Sequence, residues 1–289
     1  MLRYKADRRT LIFMAITTGL LIVQWVQPHF NWGLFIWANL MAVTVAVIAH
    51  NHNHLGMWKS KRLNRLTDYW ITLFYGFPAF AWIPTHNQNH HKLNNKEGDD
   101  SATWRHSERN NLVTLLTYPT ISGFHQQPAV GRFVKARWQK NKRSAMYYIG
   151  QALALIVFLA VAVAVDWKKA LLFIFIPQQV SLTTVLIFNY VQHVHADEQS
   201  KINHSRNFVG WGLNAFLFNN GYHTVHHDAP GLHWSKTPEA HAKVAHTIDP
   251  VLNEKSFAWY LLRVYVLSIF VPKFRTRSMR LARIARDGS

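Results

Sequence analysis

The sequence predicts an all-α integral membrane protein: four transmembrane helices, further interfacial or re-entrant helices, and a cytosolic helical cap rich in histidine. Three observations predict it. Long uncharged stretches alternate with short blocks dense in Lys and Arg. Placing those stretches across a bilayer gathers nearly all the basic charge on one face. Most of the 18 histidines stand in tight clusters where apolar stretches end.

The composition supports this and excludes alternatives. Of 289 residues, 49% are hydrophobic and only 16% charged, against about 25% charged in an ordinary soluble protein. The mean hydropathy of -0.07 conceals the segregation. Charge is absent from residues 10–58, 146–165 and 170–196, and crowded into 59–65, 92–109, 132–143 and 273–287. With no cysteine, disulfides, thiolate metal sites and cysteine nucleophiles are excluded. A net charge of +18 raises the question of nucleic acid. The basic residues flank apolar spans instead of interleaving with stacking aromatics, so no nucleic-acid partner is expected. The apolar stretch after "MLRYKADRR" runs on to a second one without a small-residue cleavage site, so it reads as a retained anchor.

The elements follow in order. A span needs roughly 20 apolar residues, and the sequence predicts spans at about 11–27, 33–49, 146–165 and 170–190. "PHFNWG" makes a short turn between the first pair, and "DWKK" joins the second pair. The stretch 69–84, "YWITLFYGFPAFAWIP", is broken by Gly76, Pro78 and Pro84 and reads as re-entrant or interfacial. Residues 189–258 form the cytosolic cap, and 256–272, with Arg263 at its centre, reads as a helix in the interface. The tail 273–289 is basic and reads either as a helix on anionic lipid or as a solvated arm. The chain thus reads as a single membrane-bound domain, 1–289. Four crossings leave only Lys168 and Lys169 outside and put both termini in the cytoplasm, of a bacterial inner membrane or an ER-type membrane.

The same parity delivers the histidine clusters to one face. In "HNHNH", His50 and His54 are one helical turn apart and share a side, whereas His52 points elsewhere. "HNQNHH" supplies His86, His90 and His91, and "HTVHH" supplies His223, His226 and His227. Near the end of the fourth span, Asn189 and His193 are again one turn apart, with His195 as a rival to His193. About nine imidazoles exceed what one tetrahedral ion takes but suit two ions with open positions. A histidine-ligated dinuclear iron centre is the best physical match, and its natural task is oxygen activation. No HExxH, GxSxG or GxxxxGK[ST] motif and no haem attachment motif occurs.

The three boxes, their order and the four-span layout resemble the membrane-bound fatty acid desaturase superfamily, from the first span to about residue 272. The stretch "FNNGYHTVHHDAPGLHWSKTP" is the most specific part. The resemblance implies two iron ions, molecular oxygen as co-substrate, and electrons from an external donor, a ferredoxin or cytochrome b-type protein with its reductase. It implies metal ligands at His50, His54, His86, His90, His91, His223, His226 and His227, an extra ligand at His193, and Asn189 holding a metal-bound water. Asp228, directly after the third box, is the acid best placed to orient a ligand; Asp68, Asp99, Asp100, Asp197 and Glu198 share its face. His52 and His233 are given supporting or structural roles, and His29, His106, His125, His204, His241 and His246 ordinary polar ones. No bound haem is expected. Three residues between the first-box histidines, where acyl-CoA enzymes usually have four, lean towards a lipid-linked acyl substrate. The expected activity is acyl-lipid desaturation. The alternatives are a fatty acid or alkane hydroxylase or carotenoid ketolase-type oxygenase, and a membrane metal transporter. Against the last, the third and fourth predicted spans contain no histidine.

Overall fold

A computed structural model describes residues 1–288. The described chain is helical apart from turns and one two-residue parallel strand pair, Asn207–Phe208 with Asn253–Glu254. It packs as two compact units, each drawn from two stretches of sequence: residues 1–84 with 128–185, and residues 85–127 with 186–288.

Among the described residues three helices are long and apolar enough to cross a membrane: α1 (Asp7–Val26), α2 (Trp32–His54) and the run Lys142–His193. Asn31 caps α2 by accepting the Leu34 N–H at 3.0 Å. Apolar residues cover every side of α1 and α2, as they must where lipid replaces water. Large side chains such as Ile22, Trp32, Ile36 and Val157 accordingly stand exposed.

The third run has 52 residues, about 78 Å if straight, against roughly 30 Å of hydrocarbon. It breaks at Asp166, whose backbone (φ -158°, ψ 98°) is extended. The Asp166 carboxylate then accepts the N–H groups of Lys168 and Lys169 at 3.1 and 3.0 Å, capping the next helix. Lys169 donates to the carbonyls of Trp25 and Gln27 at 2.5 and 3.3 Å, meeting the orphan acceptors at the end of α1.

The broken stretch after α3 (Lys61–Tyr75) shows how irregular backbone is tolerated among apolar helices. Gly76 ends α3 in the left-handed region at φ +83°, with Gln178 packed where a Cβ would stand. The next free donors are met by side chains: Ala79 N–H by Thr72 Oγ1, and Phe80 N–H by Gln151 Oε1, both at 3.0 Å. With its backbone satisfied inside the protein, the segment needs no water.

In the second unit the core is aromatic: Tyr118, Tyr190, Phe208, Tyr260 and Tyr265 are buried around Val191, Val194 and Val264. The stretch predicted as an interfacial helix is a succession of short helical turns between Phe257 and Ile269. Arg263 at its centre is bound to Glu254 at 2.5 Å. The basic tail folds as a helix, Met279–Asp287, started by Ser278. It is fastened rather than free: Arg280 reaches Glu108 at 2.7 Å, and Arg283 reaches Asp197 and Glu198, each at 2.7 Å.

One half-buried acid gives this frame a pH signature. Asp68 on α3 accepts from Tyr147 Oη at 2.5 Å and stands 3.6 Å from His52 Nε2. Burial pushes its carboxyl up to about 6, against the opposing pull of Tyr147 and Arg65. A raised carboxyl contributes stability below its unfolded value and loses it as pH rises through about 6. Asp68→Asn should therefore gain melting temperature relative to the parent as pH is raised from about 4 to 7, a difference that thermal melts of the two proteins across that range would read.

Candidate metal centre

The second box lies on a π-helix, Ile83–His90, continued by His91–Leu93. Hydrogen bonding from i to i+5 brings both i+4 and i+5 near residue i, so His86 has His90 and His91 as neighbours on one side. Their rings stand 5.3 and 4.6 Å from that of His86. The third box forms a short helix, His223–Asp228, on which His223, His226 and His227 are spaced i, i+3 and i+4 and so share a face.

That helix is positioned by the "NNG" before it. Phe218 and Asn219 adopt left-handed φ of 49° and 58°. Gly221 then presses against the Asn207–Phe208 strand: a Cβ there would stand 2.0 Å from the Phe208 carbonyl oxygen. Thr224 is held by its N–H to Asn207 Oδ1 at 2.9 Å. Only glycine permits this approach.

Within the second unit the ring nitrogens converge in two sets. His193 Nε2 lies 2.9 Å from His223 Nε2 and 3.2 Å from His227 Nε2, and the last two are 3.1 Å apart. His90 belongs to the same set: the four ligand atoms all lie within 4.8 Å of one another. In the other set, His91 Nε2 lies 3.1 Å from His86 Nε2 and 2.9 Å from His226 Nε2. Donors at about 2.0–2.1 Å from one ion stand about 3 Å apart, which is this spacing.

Hydrogen bonding at the far side of the rings decides what the near side offers. His90 Nδ1–H donates to Asp99 Oδ2 at 2.8 Å, and the Asp99 side chain is fully buried. His193 Nδ1 faces the main-chain carbonyl of His204 at 3.3 Å. A neutral imidazole that donates at Nδ1 can only accept at Nε2. The His90 and His193 lone pairs therefore point into the set, and buried His90 Nε2 has no hydrogen-bond partner among the described residues. Burial, reinforced by the neighbouring imidazoles, drives the ionisation of His227 well below the ordinary histidine value. A largely buried group of imidazole nitrogens with convergent lone pairs fits a transition metal.

Asp99 is the best-held acid of the group. Besides His90 it accepts the N–H groups of Asn95 and Ser101 and the Ser101 hydroxyl, all at 2.8 Å. Burial alone would raise its carboxyl, but the His90 ring and the Ser101 hydrogen bonds outweigh that and hold it below the usual carboxylate range. Asp228, expected from sequence to orient a ligand, instead stands 3.4 Å from His204 Nε2 and is half exposed. Asp197 and Glu198 bind Arg283, and Asp68 binds Tyr147.

The other expected residues divide clearly. His50 and His54 pair at the end of α2 in the first unit, ring centroids 4.9 Å apart, with His50 beside Trp82. His52 accepts from Met57 N–H at 3.3 Å. His195 has both ring nitrogens engaged, by the Glu108 carbonyl at 3.1 Å and Thr276 Oγ1 at 2.7 Å, and is turned away from the two sets. His233 caps the turn at Ser235. Asn189 donates to Tyr118 Oη at 2.6 Å, and Tyr118 in turn donates to the Ser101 carbonyl at 2.6 Å. His204, read from sequence as an ordinary polar residue, is buried with its ring 5.7 Å from that of His227. Its contribution to His193 is a backbone carbonyl, which no side-chain pattern reveals.

Apolar helices of spanning length are thus combined with two groups of imidazoles whose spacing could hold metal ions. Residues 27–259 match the family model described as fatty acid desaturase, so the chain belongs to the fatty acid desaturase family. The members of this family are membrane-bound oxidoreductases. No individual curated protein matches the chain significantly.

Asp99→Asn replaces the charged acceptor of His90 Nδ1–H by a neutral amide and turns one of its two accepting oxygens into a donor, and should weaken metal retention by about 10- to 100-fold, measured by metal content after dialysis against a graded chelator. Gly221→Ala should cost about 1–3 kcal/mol by overpacking and release metal at a lower temperature than the parent, read by parallel melting and metal-release curves.

Proposed function

We propose that the protein is an oxygen-dependent diiron desaturase that introduces a double bond into the acyl chain of a membrane lipid. The observation that carries this reading is the set His90, His193, His223 and His227, whose four ligand atoms lie within 4.8 Å of one another. These residues would hold one iron. His86, His91 and His226 would hold the second, with His50 and His54 read as its further ligands on the family pattern. Asn189, one turn before His193, is read as the holder of a metal-bound water.

Bound iron would supply the oxygen chemistry that an unactivated methylene demands, since no side-chain acid or base removes such a hydrogen. The chain supplies the rest. Asp99 and the His204 carbonyl fix ring tautomers, so that Nε2 is available without a proton leaving. The apolar helices exclude water and position the acyl chain, which decides the carbons oxidised.

The break at Asp166 and the grip of Lys169 on the end of α1 support four crossings, with the 27–32 and 166–169 turns on one side. The remaining basic residues then lie with both termini and the histidines on the cytoplasmic face. The two units would act as one desaturase domain. The partners are a lipid-linked acyl substrate and a ferredoxin or cytochrome b-type donor with its reductase.

Expression in a host of known lipid composition with a compatible donor tests the reading. Lipid profiling should show a product lighter by two hydrogens. His227→Ala should insert normally yet lack both product and iron, and His246→Ala, an exposed site, should change neither. A product gaining one oxygen would make the enzyme a hydroxylase, and full activity in His227→Ala would overturn the ligand assignment.

A further inference from the structure

From the metal set one line of hydrogen bonds leads outward to an aromatic side chain. The Asp99 oxygen that holds His90 Nδ1 at 2.8 Å also accepts the Asn95 N–H at 2.8 Å. The Asn95 carbonyl accepts the indole N–H of Trp104 at 2.6 Å. Three hydrogen bonds and the backbone of one residue thus join Trp104 to a clustered imidazole. The tight loop that makes this possible turns on left-handed Asn94, Asn95 and Gly98, at φ 49°, 64° and 87°.

Trp104 is half-buried, and the guanidinium of Arg280 covers it 4.5 Å from the ring centroid. Arg280 belongs to the C-terminal helix, which is fastened through Glu108, Asp197 and Glu198. Those carboxylates are engaged with this helix, and the charge they leave outermost is basic. In the two segments that surround Trp104, 92–109 and 273–288, Arg105, Arg109, Arg275 and Arg277 are exposed, while the exposed acids are only Glu97 and Asp287. A cleft lined by Ser107, His195, Ser278 and Arg280 opens beside the indole.

We infer that Trp104 is where electrons from an acidic one-electron donor protein pass towards the metal set, along Trp104, Asn95, Asp99 and His90, with the basic rim as the docking surface. The inference rests on the diiron reading and deepens it. Electronic coupling decays steeply across gaps and more gently through covalent and hydrogen bonds, and this route has no gap between indole and ligand. Two donor molecules are each oxidised by one electron per turnover. These two electrons and two solvent protons, with two hydrogens from the acyl chain, reduce one O2 to two waters. Trp104 is a bridge and undergoes no net change. A basic rim favours an acidic partner and speeds its arrival in a salt-dependent way.

The test uses the full chain and, as donor, whichever of a plant-type ferredoxin and a soluble cytochrome b drives lipid conversion. In metal-free protein the donor should protect Trp104 and residues 103–109 from hydroxyl-radical labelling. Arg105→Glu with Arg277→Glu should weaken that protection and slow association by about tenfold at low salt. With iron loaded, Trp104→Leu should slow oxidation of the reduced donor by about tenfold, while iron content, donor binding and reduction by dithionite stay at parental values. Trp104→Phe keeps an aromatic ring beneath Arg280 but loses the N–H that bonds the Asn95 carbonyl, and should also slow transfer. Parental donor oxidation in both Trp104 variants, or protection confined to another face, would overturn the inference. A parent protein that binds no iron, or that neither donor drives, would overturn the functional reading itself.

Discussion

The second unit is organised around the convergence of seven imidazoles. His86, His90, His91, His193, His223, His226 and His227 stand within ring contact of one another in a single unit. Burial and the neighbouring imidazoles hold the ionisation of His227 well below the ordinary histidine value, and rings placed this way bring ring nitrogens to about 3 Å of one another. A metal ion held there, as proposed above, would take up the lone pairs of those nitrogens. The rest of the unit serves it. Asp99 and the His204 carbonyl occupy Nδ1 atoms, and the tyrosine core packs around Tyr190 and Val191 of the helix that carries His193.

Arg206 shows how far this support extends. Its guanidinium is buried and donates to the carbonyls of Val191 and Val194 at 2.8 and 3.1 Å, beside the ring of Tyr260. Those carbonyls belong to the end of the helix that carries His193, where a cation is favoured by the helix dipole. The same chain segment, 204–208, supplies the carbonyl for His193 and the strand against which Gly221 packs. One irregular segment therefore sets both the extra histidine and the third box.

Much of this was legible in sequence because the histidines announce themselves by spacing. Turns of i and i+4 on α2, and i, i+3 and i+4 in the third box, convert directly into shared faces. The apolar runs were equally plain, and the "DWKK" connection falls at the break at Asp166. What was hidden is hidden for physical reasons. Nearness in sequence favoured Asp228, yet a loop of left-handed residues returns Asp99 to His90 from nine positions away. Backbone acceptors such as the His204 carbonyl carry no residue signature. Pro119 and Pro128 obscured the helix Leu112–Lys140, which tolerates both. The basic tail gave no sign of partners, since Glu108, Asp197 and Glu198 lie far back in the chain.

The measurement that bears most directly on the central claim is iron K-edge X-ray absorption on the purified, reconstituted protein. Outer-shell scattering dominated by imidazole, lost selectively when His90 or His223 is replaced, is the expected result. Coordination dominated by oxygen donors, unchanged by those replacements, would contradict the account.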